Sequence, residues 1–262
     1  MPGPRKQGLI IQPRDTRLLT ELGVARVVDR EQAKCLAGFG STTRANNRLL
    51  ALTRARLLDR FFMGTNGVGR KALYTLSRKG AKLVGSPYQG LRRAKDEYLI
   101  GDFFVHHQLR INEVYCAVKH RPIPIPGITF VRWISFTERV APGLPLIPDG
   151  FFELQSGDQL VSAFLEVDLG SETRSVWQAK VSAYVRYAVS GQFAAQFGER
   201  PFRVLVVTSS LRRTASLCAA TARVTEKIFW FASFDSIERE GFWAAIWHRP
   251  TDDRPQALFP KP

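Results

Sequence analysis

Several things are scarce in this 262-residue chain, and each scarcity removes a class of answer. Only three cysteines occur, Cys35, Cys116 and Cys218. They are odd in number, widely spaced and form no CxxC pair, so no disulfide framework is expected. A reducing compartment fits, the cytoplasm, with each thiol acting as a small apolar filler. No apolar run approaches the ~20 residues that span a bilayer. The opening Met1-Pro2-Gly3-Pro4-Arg5-Lys6 lacks the apolar heart of a signal peptide. A membrane partner is therefore not expected. The chain contains no Walker A loop, GxGxxG, HExxH, GxSxG or His-hydrophobe-His triplet, which removes the common signatures of nucleotide, zinc-protease, hydrolase and metal-relaxase chemistry. Internal repeats and low-complexity tracts are also absent.

Negative charge is the last scarcity, and it is local. Residues 1–100 hold 20 Lys/Arg against 7 Asp/Glu, whereas residues 101–262 hold 18 against 16. The net charge of +15 is thus almost wholly N-terminal. A surplus that dense serves a polyanion, and with membranes set aside the polyanion is nucleic acid.

The same hundred residues carry a matching pattern. Leu18, Leu19 and Leu22 form a helical stripe that Pro13 can start and Gly23 can stop. Asp29-Arg30-Glu31-Gln32 resembles a capping box opening a second helix, which Gly38-Phe39-Gly40 breaks. Ser41 then caps a third helix, from Thr42 to about Arg56. Ala45, Leu49 and Leu52 share its inner face, and Thr43, Arg44, Asn47, Arg48 and Arg54 its outer one. Two short strands follow, Arg60–Phe62 and Arg70–Leu76. A turn-rich loop joins them, with Arg70 and Lys71 at its exit. Helix, glycine turn, polar-basic helix and hairpin predict a winged helix-turn-helix. Arg and Asn are the side chains that bind guanine and adenine edges through two hydrogen bonds, and a basic wing tracks phosphates, so double-stranded DNA is the expected partner.

Beyond a loop-like stretch at 85–96, Glu97 to Lys119 reads as a long amphipathic helix with Ile100, Phe103, His107, Ile111, Val114 and Val118 along one side. His106 and His107 read as interface histidines rather than metal ligands. The proline-rich 121–127 connects to strand candidates at 128–136, 147–154 and 160–167, a helix at 175–190 with Val176, Val181, Tyr184 and Ala188 inward, a strand at 203–208, a helix at 214–226 and a strand at 228–231. Tyr184 and Tyr187 are three apart on one helix, where core packing is the plainer role than DNA nicking. Trp177, Trp230, Trp243 and Trp247 read as packing residues. Within this α/β frame Asp149 opens the second strand, and Glu166 and Asp168 close the third. An Asp and a Glu at facing ends of adjacent strands can share a divalent cation, Mg²⁺ or Mn²⁺, that activates water toward a phosphodiester.

The order αβββαβ with Pro148-Asp149 and Glu166-Val167-Asp168 resembles the PD-(D/E)xK nuclease superfamily. In that family the third position is usually Lys; here it is Asp168. The resemblance implies catalytic and metal roles for Asp149, Glu166 and Asp168. It implies that Lys180, on the following helix, supplies the missing cation, and Glu113 is a candidate auxiliary ligand. Taken together, the two halves look like the replication-relaxation family of plasmid and mobile-element proteins, over roughly Gln12 to Phe234. The expected organisation is a DNA-binding domain at 1–84, a linker at 85–96, a nuclease-like α/β domain at 97–249 and a flexible tail at 250–262. Two functions stay open: a Mg²⁺-dependent enzyme that nicks or cleaves DNA in replication or transfer, and a non-catalytic DNA-binding accessory or regulator whose α/β domain binds a protein partner.

Overall fold

Pro13 has no amide hydrogen to satisfy at a helix start, and the first helix, α1 (Pro13–Ala25), begins there. It runs through Gly23, which the sequence suggested as its stop. The computed structural model describes residues 9–64, 69–88, 98–198 and 200–259. The chain divides into two compact units, Met1–Arg121 and Pro122–Pro262.

In the first unit α1 leads to β1 (Val27–Asp29), α2 (Arg30–Ala37) and α3 (Thr42–Arg54). Asp29 caps α2 by accepting from the Gln32 amide at 2.8 Å. The other half of the expected capping box is not made, because the Gln32 side chain donates to Leu109 O at 2.8 Å instead. Gly38 ends α2 in the left-handed region, φ 68°, a conformation strained for residues that carry a side chain. Ser41 caps α3. Ala45, Leu49 and Leu52 are fully buried, as their spacing required. The strands β2 (Leu58–Gly64) and β3 (Arg70–Leu76) pair antiparallel, and β1 joins them to give the order β1-β3-β2. The tip residues 65–68 of the expected wing lie outside the described residues, as do 89–97 of the expected linker.

A short helix, α4 (Arg78–Leu83), precedes the long α5 (Tyr98–Tyr115), which ends in a π-helical turn, Cys116–His120. The sequence placed this long helix at the head of the second domain. It packs instead on the first unit, and the division of the chain falls after Arg121 rather than within 85–96. Val105 and Leu109 share a core cluster with Val27, Met63 and Leu73. Asn112, buried, donates to Ala25 O at 3.1 Å and Val27 O at 2.6 Å, so the helix satisfies backbone carbonyls at the α1–β1 junction. Ile111, Val114 and Val118 are buried as expected, but Phe103 is exposed and His107 only half-buried. The helix is rotated so that its polar Gln108 and Asn112 face inward as well.

The second unit is α/β. A meander of β4 (Ile128–Ile134), β5 (Gly150–Ser156) and β6 (Gln159–Asp168) is antiparallel. Then α6 (Arg174–Val189) and α7 (Gln192–Phe197) cross over to β7 (Phe202–Thr208), parallel to β6, and α8 (Leu211–Ala222) to β8 (Phe229–Ser233), parallel to β7. After α9 (Phe234–Glu240), β9 (Trp247–Arg249) and β10 (Asp252–Gln256) complete a mixed sheet of seven strands in the order β10-β9-β8-β7-β6-β5-β4. The segment from 250 was expected to be a flexible tail. Through residue 259 it is instead β10 followed by the buried Leu258 and Phe259, whose apolar surface gains more from burial than a free end would keep in entropy. Residues 260–262 lie outside the described residues.

One face of this sheet carries Phe151 and Phe164, which pack with Trp177, Val181, Tyr184 and Tyr187 of α6. The expected inward stripe of α6 thus holds at Val181 and Tyr184. Val176 and Ala188 are exposed, and Trp177 and Tyr187 take their places. Trp177, fully buried, donates from its ring nitrogen to Thr221 at 2.9 Å, which fixes α6 against α8.

Candidate functional site

The outer face of α3 is mostly as its periodicity requires. Thr43, Arg44, Asn47 and Arg54 are exposed, and so are Arg70 and Lys71 at the foot of the hairpin. Arg48 is the exception. Its guanidinium grips the fully buried Asp15 of α1, Nε donating at 2.7 Å to Oδ1 and a second nitrogen to Oδ2, and it also donates to Ile10 O at 2.6 Å. The sequence placed Arg48 among the DNA-reading residues. In the structure it holds α3 to α1, and its pairing with Asp15 raises its pKa further. Lys71 pairs with Asp29 at 2.5 Å while keeping much of its surface in water. Asp15 and Asp29 thus each tie a helix start to a cation. No local pattern could reveal the Asp15–Arg48 pair, because it spans 33 residues.

In the second unit, register decides which acidic residues meet. Gly150 pairs with Leu165 and Phe151 with Phe164, so Asp149, one step before, falls opposite Glu166, and their side chains share the α6 face. Asp168, two residues beyond Glu166, faces the same way. The three residues therefore do lie on one side of the sheet. Their partners differ. Glu166 is buried and accepts from Lys180 Nζ at 2.8 Å and from the Tyr184 hydroxyl at 2.6 Å. Asp149 Oδ2 accepts from the Val167 amide at 2.7 Å, which ties the β5 entry to the end of β6. Asp168 is held by Arg213 through two bonds, 2.7 and 2.8 Å, and also accepts from the Gly170 amide at 2.8 Å. Lys180 bridges to a second carboxylate, Glu172, at 2.6 Å. Arg213 further donates to Glu172 O at 2.7 Å.

The electrostatics follow from burial and pairing. Burial raises the Glu166 pKa, and nearby Asp149 adds to the rise against the pull of Lys180. For Lys180 burial works downward, but Glu166 and Glu172 outweigh it and hold the ammonium charged. Tyr184 is pushed well up, first by burial and then by Glu166, so it stays a hydrogen-bond donor. Arg213 is raised by its bond to Asp168. Glu172 and Arg213 were not visible as site residues in the sequence, since their roles arise only when the β6–α6 loop and α8 meet.

Whether these residues suit a divalent cation can be judged from their bonds. Among the described residues no group of three or more His, Cys, Asp or Glu side chains is placed to hold a metal ion. Both Glu166 oxygens and both Asp168 oxygens already have donors. As arranged, the three carboxylates do not fit a shared Mg²⁺ or Mn²⁺, because a cation would have to displace Lys180 or Arg213. Glu113, the auxiliary candidate, lies in the first unit and pairs with Arg110 at 2.8 Å.

Fold and site together define a class: a small helical unit with a three-stranded antiparallel sheet, followed by an α/β unit whose mixed sheet carries a buried carboxylate–lysine cluster. Residues 14–201 match the family model described as replication-relaxation, and the chain belongs to the replication-relaxation family. No curated protein and no solved structure matches it. Among the described residues no helix is long and apolar enough to cross a membrane.

Proposed function

We propose that this protein binds double-stranded DNA through a winged helix formed by its first unit, and serves as a non-catalytic accessory in plasmid or mobile-element replication or relaxation. The observation that carries this reading is the exposed face of α3, where Thr43, Arg44, Asn47 and Arg54 stand clear of the fold in the segment that holds nearly all the net charge. Element order supports it: helix, strand, helix, helix and hairpin, with the first strand closing the small sheet. In this reading α3 enters the major groove, Arg44 and Asn47 reach base edges, and Arg54, Arg70 and Lys71 meet phosphates. Arg44→Ala with Asn47→Ala should weaken binding to plasmid-derived duplex by about tenfold or more without lowering the melting temperature. Arg48→Ala should lower it, since it leaves Asp15 buried and unpaired. Mobility shifts across a salt series check this, and undiminished affinity of the Arg44/Asn47 variant refutes the assignment.

One observation favours a second reading, metal-dependent nicking by a PD-(D/E)xK-like second unit. Asp149 and Glu166 share a face beside the Lys180 ammonium, the juxtaposition that the family resemblance implies. Supercoiled plasmid incubated with the protein and Mg²⁺ or Mn²⁺ separates the two. The accessory reading expects the plasmid to remain supercoiled. Nicked or linear product lost on Asp149→Asn would instead establish the nuclease.

A further inference from the structure

Phe62, on β2, is a large apolar side chain left 45% exposed. A single exposed ring is ordinary on a protein surface, so its setting decides whether it has a use. The alternate residues of the strand, Phe61 and Met63, face α5, where they join the cluster of Val105 and Leu109. Arg60 and Phe62 therefore stand on the opposite face of the small sheet. The Arg60 guanidinium lies over the Phe62 ring, 5.1 Å from its centroid. Across the ladder Phe62 pairs with Ala72, whose methyl group is too small to cover a ring. The next pair on that face, toward the hairpin tip, is Gly64 with Arg70, and Gly64 adds no side chain. Arg60 and Arg70 are both exposed, and among the described residues neither has a carboxylate partner. Phe62 is the only large apolar side chain of β2 and β3 that is exposed among the described residues. The other neighbour of this strand is α3, which packs against β2.

We propose that Phe62 is a stacking site for an unpaired base, so that the preferred DNA is a duplex interrupted by a melted segment. This rests on the reading of the first unit as a duplex-binding winged helix and names the form of DNA it takes. Within an intact duplex every base is stacked on both sides, and a flat ring on the hairpin gains little from it. An unpaired base has a free face, and because every base has one, the contact reads strandedness rather than sequence. Arg60 occupies one side of the Phe62 ring and adds a cation–π contribution, while the exposed remainder of the ring is open to a base. Arg60 and Arg70, with no acid to satisfy, can neutralise the phosphates that flank a stacked nucleotide. The duplex then lies along α3 and the unpaired strand along β2. An apolar protein partner fits this surface less well, because such a partner needs a contiguous apolar patch and Phe62 is bordered by cations.

The test uses the full chain and two plasmid-derived DNAs that share one strand and both ends. One is fully paired and the other carries a short internal bubble. Titrations at fixed salt should show the unaltered chain binding the bubble about tenfold more tightly. Phe62→Leu, which keeps an apolar side chain but removes the ring, should bind the paired DNA as the parent does and lose the preference. Phe62→Tyr should keep it. Phe62 is exposed, so both variants should melt like the parent. An unaltered chain with equal affinity for the two DNAs would overturn the proposal. So would a bubble preference that survives in Phe62→Leu, or a Phe62→Leu chain that loses affinity for both DNAs alike. The Arg44→Ala/Asn47→Ala variant keeps the two levels apart. It should weaken binding to both DNAs, and its undiminished affinity refutes the winged-helix reading itself, whereas equal affinity of the unaltered chain for paired and bubble DNA refutes the stacking site alone.

Discussion

At the scale of single residues the first unit is fixed by buried acids with assigned cations. Glu21 is the most heavily bonded. It accepts from the Tyr115 hydroxyl at 2.5 Å, from Lys119 at 2.8 Å and from His120 at 3.1 Å. Burial alone would raise its pKa, but the bonds from His120, Lys119 and Tyr115 outweigh that and hold it at about 2. A depressed folded pKa means that the stability Glu21 contributes is complete above the unfolded carboxylate range and is lost as pH falls toward 2. Urea melts should therefore show the first unit weakening between about pH 4.5 and pH 2, by roughly 2–3 kcal/mol for this group. Glu21→Gln should be less stable near neutrality and should lose less on acidification. A variant with the same acid slope as the parent would remove Glu21 from the account. The sequence marked none of this, because Glu21 and its partners are 94 to 99 residues apart.

At the scale of elements, α6 is held to β6 by a polar pair set in an aromatic core. Glu166 is buried beneath Lys180 and Tyr184, with Phe164 packed on Tyr184 at 5.6 Å between ring centroids. Removing one partner of a buried pair leaves an uncompensated charge, which costs about 3–5 kcal/mol. Lys180→Met should destabilise the second unit by that order, and more so as pH rises, because burial already raises the Glu166 pKa and ionisation then lacks its counter-ion. Adding Glu166→Gln to that variant should restore part of the loss. Chemical denaturation followed by tryptophan fluorescence reads both, and a Lys180→Met chain as stable as the parent would show that the pair does not anchor α6. The sequence located β6 and α6, and it singled out Lys180 for a neighbouring role. Its choice of Val176 and Ala188 as inward residues failed because the stripe is set by Trp177 and Tyr187, large rings that claim the buried side when the helix meets a sheet already bearing Phe151 and Phe164.

At the scale of the whole chain, charge and topology divide differently. The basic surplus marks the first hundred residues, but the first unit extends to Arg121, because α5 spends its apolar face on β1 and the hairpin. A helix written with period near 3.6 declares that it will be buried, not against what. The tail was missed for a local reason: β9 and β10 are short, their pairing shifts register between Asp252 and Gln256, and a proline-containing polar segment gives no alternation to read.

What the sequence by itself determined is whatever depends on near neighbours. The capped helices α2 and α3, the β3 hairpin arm, the meander with Asp149 and Glu166 at its open ends, and the basic surplus of the first hundred residues all follow from caps, periodicity and composition. Tertiary structure alone decided which charges remain free. Arg48 was given to Asp15, Asp168 to Arg213 and Lys180 to Glu166 and Glu172, while Arg44 and Asn47 were left in water. The reason is that an ion pair forms where folding brings two side chains within a few ångströms and removes their solvent, and sequence distance carries no information about either condition.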